Sequence, residues 1–117
     1  MHFVERTVKD VAIVAVHGDI TLNEGSDAEL KDKVRSLLDQ GRRKLILDLS
    51  NVGYIDSAGL GELVQAYATT TKQGGTLKLL GPPRRLKDLL AVTKLVPVFE
   101  AFQGEDAAVA SFYPAAR

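Results

Sequence analysis

Residues 44–61 of this 117-residue chain have the sequence KLILDLSNVGYIDSAGLG, and this stretch decides the fold. Residues 45–49 form a short apolar run, which is typical of a buried strand. Beyond Ser57, apolar side chains recur at helical spacing before Gly74-Gly75, where left-handed backbone angles cost little. That apolar face comprises Leu60, Leu63, Val64 and Tyr67. The stretch therefore predicts a buried strand ending at Leu49, a connecting loop and an amphipathic helix.

The N-terminal segment predicts a β-hairpin. Residues 3–8 alternate apolar and polar side chains, as a half-buried strand does, and a two-residue turn leads into a second strand over residues 11–17. This second strand is apolar on both faces, so we expect it inside the sheet and covered on each side. Gly18 is predicted to end it.

The other segments alternate between helix and strand. A loop over residues 19–26 precedes a first helix, whose apolar face comprises Leu30, Val34, Leu37 and Leu38. The later elements are a strand over residues 76–80, a helix opened by Pro82-Pro83, an edge strand over residues 98–102 and a last helix beginning near Glu105. This order predicts one α/β domain over residues 1–117, with parallel strands joined by helices.

Composition narrows the classes of function. Fifteen Lys and Arg residues balance fifteen Asp and Glu residues, so no net field attracts nucleic acid or an anionic membrane. The chain has no cysteine, which excludes disulfides, thiolate metal sites and thiol catalysis. Its start does not resemble a secretory signal, and its longest apolar run is far shorter than the about 20 residues that span a bilayer. We expect a cytoplasmic protein.

The candidate functional residue is Ser57, in the motif Asp56-Ser57-Ala58-Gly59-Leu60. The motif lies after a strand and before a helix, where open α/β sheets place functional groups. A hydroxyl at a helix start can cap free N–H groups, and the same end tolerates the negative charge of a phosphate. Two readings stay open here: a structural N-cap, or a phosphorylation switch whose dianion, next to Asp56, repels a docked partner.

Two glycines near the start of the same helix bear on this choice. Gly59 and Gly61 each cost about 1 kcal/mol relative to alanine in a helix interior. We interpret them as a sign that another group approaches this backbone closely.

Other chemistry finds little support. A serine hydrolase needs a Gly-x-Ser-x-Gly elbow and a histidine base, whereas residue 55 is isoleucine, and His17 is predicted to lie at a strand end. The basic clusters at residues 42–44 and 84–87 are best interpreted as solvated faces, with contact to a partner as the alternative. The acidic pairs, Asp27 with Glu29 and Glu105 with Asp106, favour helix starts and not metal binding. We expect no enzyme activity, no cofactor and no metal.

These residues resemble the STAS domain family, and within it the stand-alone bacterial anti-sigma factor antagonists. The similarity covers nearly the whole chain, and its specific part is residues 47–61, where Asp-Ser-x-Gly-Leu-Gly follows an aspartate-containing strand. The resemblance implies a four- to five-stranded mixed sheet with about four helices, mainly on one face.

The resemblance also implies a mechanism. In the family, the unphosphorylated antagonist binds an anti-sigma factor that is itself a serine kinase, and thereby releases the sigma factor. Phosphorylation of the serine matching Ser57 ends the complex, and a PP2C-like phosphatase restores it. The implied partner-binding residues are Asp19, Thr21, Asp56, Ser57, Ala58, Gly59 and Leu60. The protein is expected to be a monomer or a weak homodimer.

This chain departs from the family pattern at two of these positions. Family members often carry an acidic residue where Thr21 stands, with Asp19 as the substitute here, and often a second serine where Ala58 stands. The alternative function is a STAS scaffold subunit of a stressosome-like complex or of a lipid-transport ABC system, in which Ser57 is never phosphorylated.

Overall fold

The computed structural model describes residues 2–21 and 29–114, which fold around a five-stranded mixed sheet. The strands follow one another across the sheet in chain order. They are β1 (His2–Val8), β2 (Val11–Ile20), β3 (Lys44–Ile55), β4 (Thr76–Leu80) and β5 (Ala101–Phe102). The helices are α1 (Glu29–Asp39), α2 (Ser57–Lys72), α3 (Arg84–Val92) and α4 (Glu105–Ala110), with a 3₁₀ turn over Val96–Val98.

The β1–β2 hairpin is the antiparallel part of the sheet. Val8 pairs with Val11 across the turn, where Lys9 adopts a φ of 55°. The other strand pairs, β2 with β3, β3 with β4 and β4 with β5, are parallel. As predicted, residues 11–16 of β2 are buried on both faces, because most of their alternating side chains enter the two apolar clusters on the opposite sides of the sheet.

Both faces of the sheet are covered, but unequally. On one face, α1, α2 and α3 contribute to a large apolar core through residues such as Leu37, Leu63 and Leu86. On the other face, a smaller apolar cluster joins the sheet to α4. Phe112, predicted to lie in the last helix, follows α4 and packs on this cluster. The fold is therefore the predicted α/β arrangement, a mixed sheet with four helices mainly on one face.

Two strands are longer than predicted, and both differences lie at the same edge of the sheet. The prediction that β2 ends at Gly18 is wrong, since the strand continues to Ile20 through a register irregularity at this glycine, whose φ is 101°. The prediction that β3 ends at Leu49 is also wrong, since that strand continues to Ile55. Each strand supplies backbone partners to the other, so pairing persists after the apolar pattern ends.

The segment after α3 also differs from prediction. Residues 98–102 were expected to form one edge strand, but a 3₁₀ turn occupies Val96–Val98 and β5 contains only Ala101–Phe102. Pro97 has a φ fixed near the helical value and lies in the first positions of this turn, which favours the 3₁₀ conformation over an extended strand. The predicted loop residues 22–26 and Asp27 lie outside the described residues. None of the described helices combines the length and apolarity of a membrane span.

Candidate functional site

The carboxyl ends of β2 and β3 bring the first group of site residues together. Gly18 pairs with Val52 and Ile20 with Ile55, so the end of β2 lies beside the start of α2. Asp19 is half-buried here, and a Cβ placed on Gly53 would lie 3.0 Å from its Oδ1 atom. Thr21 follows in a bend and is half-buried as well. The extended pairing thus places Asp19 and Thr21 at the same edge as the Ser57 motif.

Asp56 caps α2, which corrects the idea that Ser57 is the cap. Asp56 has extended backbone angles, and its Oδ1 atom accepts a hydrogen bond from the Gly59 N–H at 2.8 Å. Its backbone carbonyl accepts the first intrahelical bond, from the Leu60 N–H at 2.9 Å. The Asp56 side chain therefore caps the N-terminal end of α2. Its negative charge lies there at the favourable end of the helix dipole.

Ser57 is the first residue of α2, and its side chain is exposed. Among the described residues, 2–21 and 29–114, none forms a hydrogen bond with its hydroxyl. The N–H groups of Ser57 and Ala58 lie outside the helix's own hydrogen-bond ladder. Ala58 is exposed too, so the hydroxyl stands beside a small side chain and two polar backbone groups. A phosphate on Ser57 would meet water, N–H donors and the positive end of the helix dipole.

Gly59 and Leu60 are buried, so their side-chain positions face the interior of the fold, and their assignment to the partner-binding surface stays a prediction. Leu60 is 4% exposed and belongs to the core beneath the helices. A Cβ on Gly59 would lie 1.8 Å from the Ile20 carbonyl oxygen. The close approach that the glycine permits is therefore made by the chain's own β2 strand.

Gly61 has a different environment from Gly59. Apart from its chain neighbours and the nearby backbone of α2 itself, no heavy atom of residues 2–21 and 29–114 lies within 4 Å of the place where its Cβ would stand. Its position on α2 is partly exposed. The described contacts of the fold therefore give no steric reason for a glycine here.

The structure pairs two residues of this edge that the sequence did not link, Tyr54 and Arg85, the second of which was interpreted as part of a solvated basic face. Tyr54 is 46% exposed, and the guanidinium of Arg85 lies 5.3 Å from the centre of its ring. Arg85 Nε also donates to the Ile55 carbonyl at 3.3 Å, and its Nη2 to the Tyr54 hydroxyl at 3.4 Å. Arg85 lies in the first turn of α3, shortly after β4, at the carboxyl edge shared by the parallel strands, and this position is the sequence signal that could have linked it to the site.

The described residues show no built metal or cofactor site near Ser57. Among residues 2–21 and 29–114, no three His, Asp or Glu side chains are grouped as metal ligands. A cavity of about 240 Å³ lies towards the other end of α2 and is lined by residues including Tyr67, Thr71, Val98 and Glu100. None of the predicted site residues lines it. The arrangement at Ser57 thus offers an accessible hydroxyl on the first turn of α2.

A family model and known relatives both match this chain, and they point to the same protein family. The model of the family described as "STAS domain" matches residues 3–108. The anti-sigma-B factor antagonist of Listeria monocytogenes is 34% identical over 88 residues, 72% of this chain and 77% of the relative. The anti-sigma F factor antagonist of Paenibacillus polymyxa is 29% identical over 100 residues, 79% of this chain and 80% of the relative.

Solved structures with this fold include two of anti-sigma factor antagonists or related regulators. One is an anti-sigma factor antagonist from Mycobacterium paratuberculosis, with a TM-score of 0.79 at 21% identity, covering 94% of this chain and 92% of that chain. The other is the Bacillus cell fate determinant SpoIIAA in its phosphorylated form, with a TM-score of 0.72 at 16% identity, covering 95% of this chain and 99% of that chain. At these identities the structures establish the fold.

Proposed function

The chain belongs to the STAS domain family, and we propose that it is an anti-sigma factor antagonist whose unphosphorylated form binds an anti-sigma factor serine kinase. The observation that carries the proposal is the exposed Ser57 side chain on the first turn of α2, with the capping role taken by Asp56. Its relatives bear the name of antagonists of anti-sigma factors. Residues 1–117 then act as one cytoplasmic regulatory domain that is a substrate and not an enzyme.

The proposed switch is a phosphoryl transfer to Ser57. Its Oγ atom attacks the γ-phosphorus of ATP held by the kinase, an Oγ–P bond forms, and the P–O bond to ADP breaks. The hydroxyl proton passes to a base of the kinase or to water. A PP2C-like phosphatase reverses the modification by transferring the phosphoryl group to water, which restores the serine and releases inorganic phosphate.

The switch acts on docking and leaves the fold intact. Phosphoserine adds a charge of about −1.5 to −2 near pH 7. At the start of α2 this charge lies in solvent near backbone N–H groups, so the domain tolerates it. In a packed interface the same dianion has to be desolvated, which costs several kcal/mol unless it is paired. Asp19, Thr21 and Ala58, together with Tyr54 and Arg85, form the surface that we propose contacts the kinase.

Intact-protein mass measurement tests this function. The chain is incubated with ATP and each candidate anti-sigma factor kinase of its own organism, and we expect the mass of one phosphate to be added. Ser57→Ala should remain unmodified, whereas Ser36→Ala, which removes an exposed serine of α1, should gain the phosphate. Binding of the kinase should be lost in the phosphorylated protein and in Ser57→Asp.

The scaffold alternative predicts a different result. An unchanged mass with every candidate kinase, together with stable co-purification in a larger assembly or with a transporter, would reject the switch. The oligomeric state stays a prediction of a monomer or weak homodimer, to be measured by sedimentation of both forms.

A further inference from the structure

A basic groove runs between the outer surfaces of α1 and α2, away from Ser57. Its volume is about 440 Å³, and it is open to solvent. Three of its lining side chains are cations, two are neutral and polar, and one is small: Lys31, Arg35, Lys72, Gln65, Thr69 and Ala68. The cations come from two helices that are distant in the sequence, so no contiguous basic cluster marks this groove.

The three cations have no acidic partner in the described part of the chain. Within residues 2–21 and 29–114, no Asp or Glu oxygen lies within 4.0 Å of Lys31, Arg35 or Lys72, whereas four other cations are paired there. Lys31 and Arg35 are also spaced by four residues on one helix, where like charges repel by a few tenths of a kcal/mol. The chain has no net charge, so overall basicity does not explain this grouping.

The three basic residues at positions 42–44, unlike those of the groove, bond other parts of the described chain. Arg42 Nη2 donates to the Thr7 hydroxyl at 3.1 Å, and Arg43 Nη1 donates to the Leu38 carbonyl at 2.9 Å. The Lys44 ammonium bonds Asp10 at 2.6 Å, and this hydrogen bond lowers the pKa of Asp10. These cations bond other parts of the chain, whereas the cations of the basic groove have no acidic partner within residues 2–21 and 29–114.

We infer that the basic groove binds an acidic segment of the same kinase that docks at Ser57. The inference rests on the proposed function. Carboxylates complement the three cations, and Gln65 and Thr69 can bond the peptide groups between them. Among the described residues that line the groove none is aromatic and able to stack on a base, so nucleic acid fits it poorly.

The basic groove lies close enough to Ser57 for one partner to cover both. Thr69 follows Ser57 along α2 by about 18 Å, given the rise of about 1.5 Å per residue. A standard interface covers about 800 Å² of each partner, roughly 30 Å across. One kinase can therefore cover the switch and reach the basic groove, where attraction between opposite charges speeds association.

A peptide titration tests the groove by itself. The probe is a fluorescein-labelled polyglutamate peptide, followed by anisotropy at low ionic strength. Lys31→Glu/Lys72→Glu should raise its Kd about tenfold or more, equal to about 1.4 kcal/mol. The matched control, Lys87→Glu/Lys94→Glu, changes net charge equally at two exposed lysines outside the groove and should shift Kd less than about twofold.

The kinase experiment tests the partner. With the kinase identified by phosphorylation of Ser57, Lys31→Glu/Lys72→Glu should slow association about tenfold and reduce its dependence on salt, because screening acts on the lost attraction. Circular dichroism should show the same fold in both double variants.

The outcomes separate the two proposals. Equal effects of the two double variants, on the peptide or on kinase association, overturn the groove assignment even if phosphorylation of Ser57 abolishes binding. Absence of any Ser57 phosphorylation overturns the proposed function and the assignment of the kinase to the groove.

Discussion

The inner and outer sides of the first two turns of α2 differ in their surroundings, although their residues alternate within one short motif. On the inner side, Gly59 lies against the Ile20 carbonyl and Leu60 lies in the core. On the outer side, Ser57 and Ala58 are exposed, and Gly61 has open space around it. The helical repeat thus assigns neighbouring residues to separate tasks: the inner ones build the fold, and the outer ones are free to meet a partner.

The largest expected change is a loss of stability at Gly59, and it tests how tightly the inner side is packed. Gly59→Ala places a methyl group 1.8 Å from the Ile20 carbonyl oxygen, and backbone on both sides has to move. Overpacking of this kind costs about 1–3 kcal/mol and occasionally more. We therefore expect a loss of about 3 kcal/mol in the free energy of unfolding, measured by urea denaturation.

Gly61→Ala is the matched control for that measurement, because it makes the same chemical change on the outer side. A Gly59→Ala protein that is as stable as Gly61→Ala would show that the inner side is no more tightly packed than the outer side.

A smaller loss of stability is expected on substitution of Asp56, whose side chain bonds the Gly59 N–H on the inner side. Asp56→Ala removes the acceptor for the Gly59 N–H, and loss of such a cap costs about 0.5–2 kcal/mol. Asp56→Asn keeps an acceptor oxygen, so it should retain most of the stability. Thermal unfolding of the two variants measures the difference, and equal losses would mean that the cap bond contributes nothing.

The smallest change in stability is expected at Gly61, on the outer side, and it is a gain instead of a loss. Gly61→Ala should stabilise the protein by up to about 1 kcal/mol, because alanine is the better helix former and, beyond α2 itself, its Cβ meets no described atom within 4 Å. Chemical denaturation of the unbound protein provides the measurement. A decrease in stability would show that the outer side is constrained by the fold after all.

Within the motif, the sequence located the hydroxyl at the helix start and left open that Ser57 is the N-cap, whereas the cap is Asp56. Ser and Asp are nearly equal as N-caps, so local preference could not choose between Asp56 and Ser57. The choice followed from the length of β3, which continues to Ile55 and places Asp56 at the boundary. Similarly, the two glycines looked alike until the Ile20 carbonyl was seen against only one of them.

The sequence by itself determined the order of strands and helices, the burial of β2, the apolar faces of the helices and the position of Ser57 at a helix start. These features depend on local periodicity, which the chain carries in its own residue pattern. Tertiary structure alone decided the continued pairing of β2 with β3, the pairing of Arg85 with Tyr54, and the basic groove between α1 and α2. Each of these joins residues from separate elements, and their proximity depends on packing that no local pattern encodes.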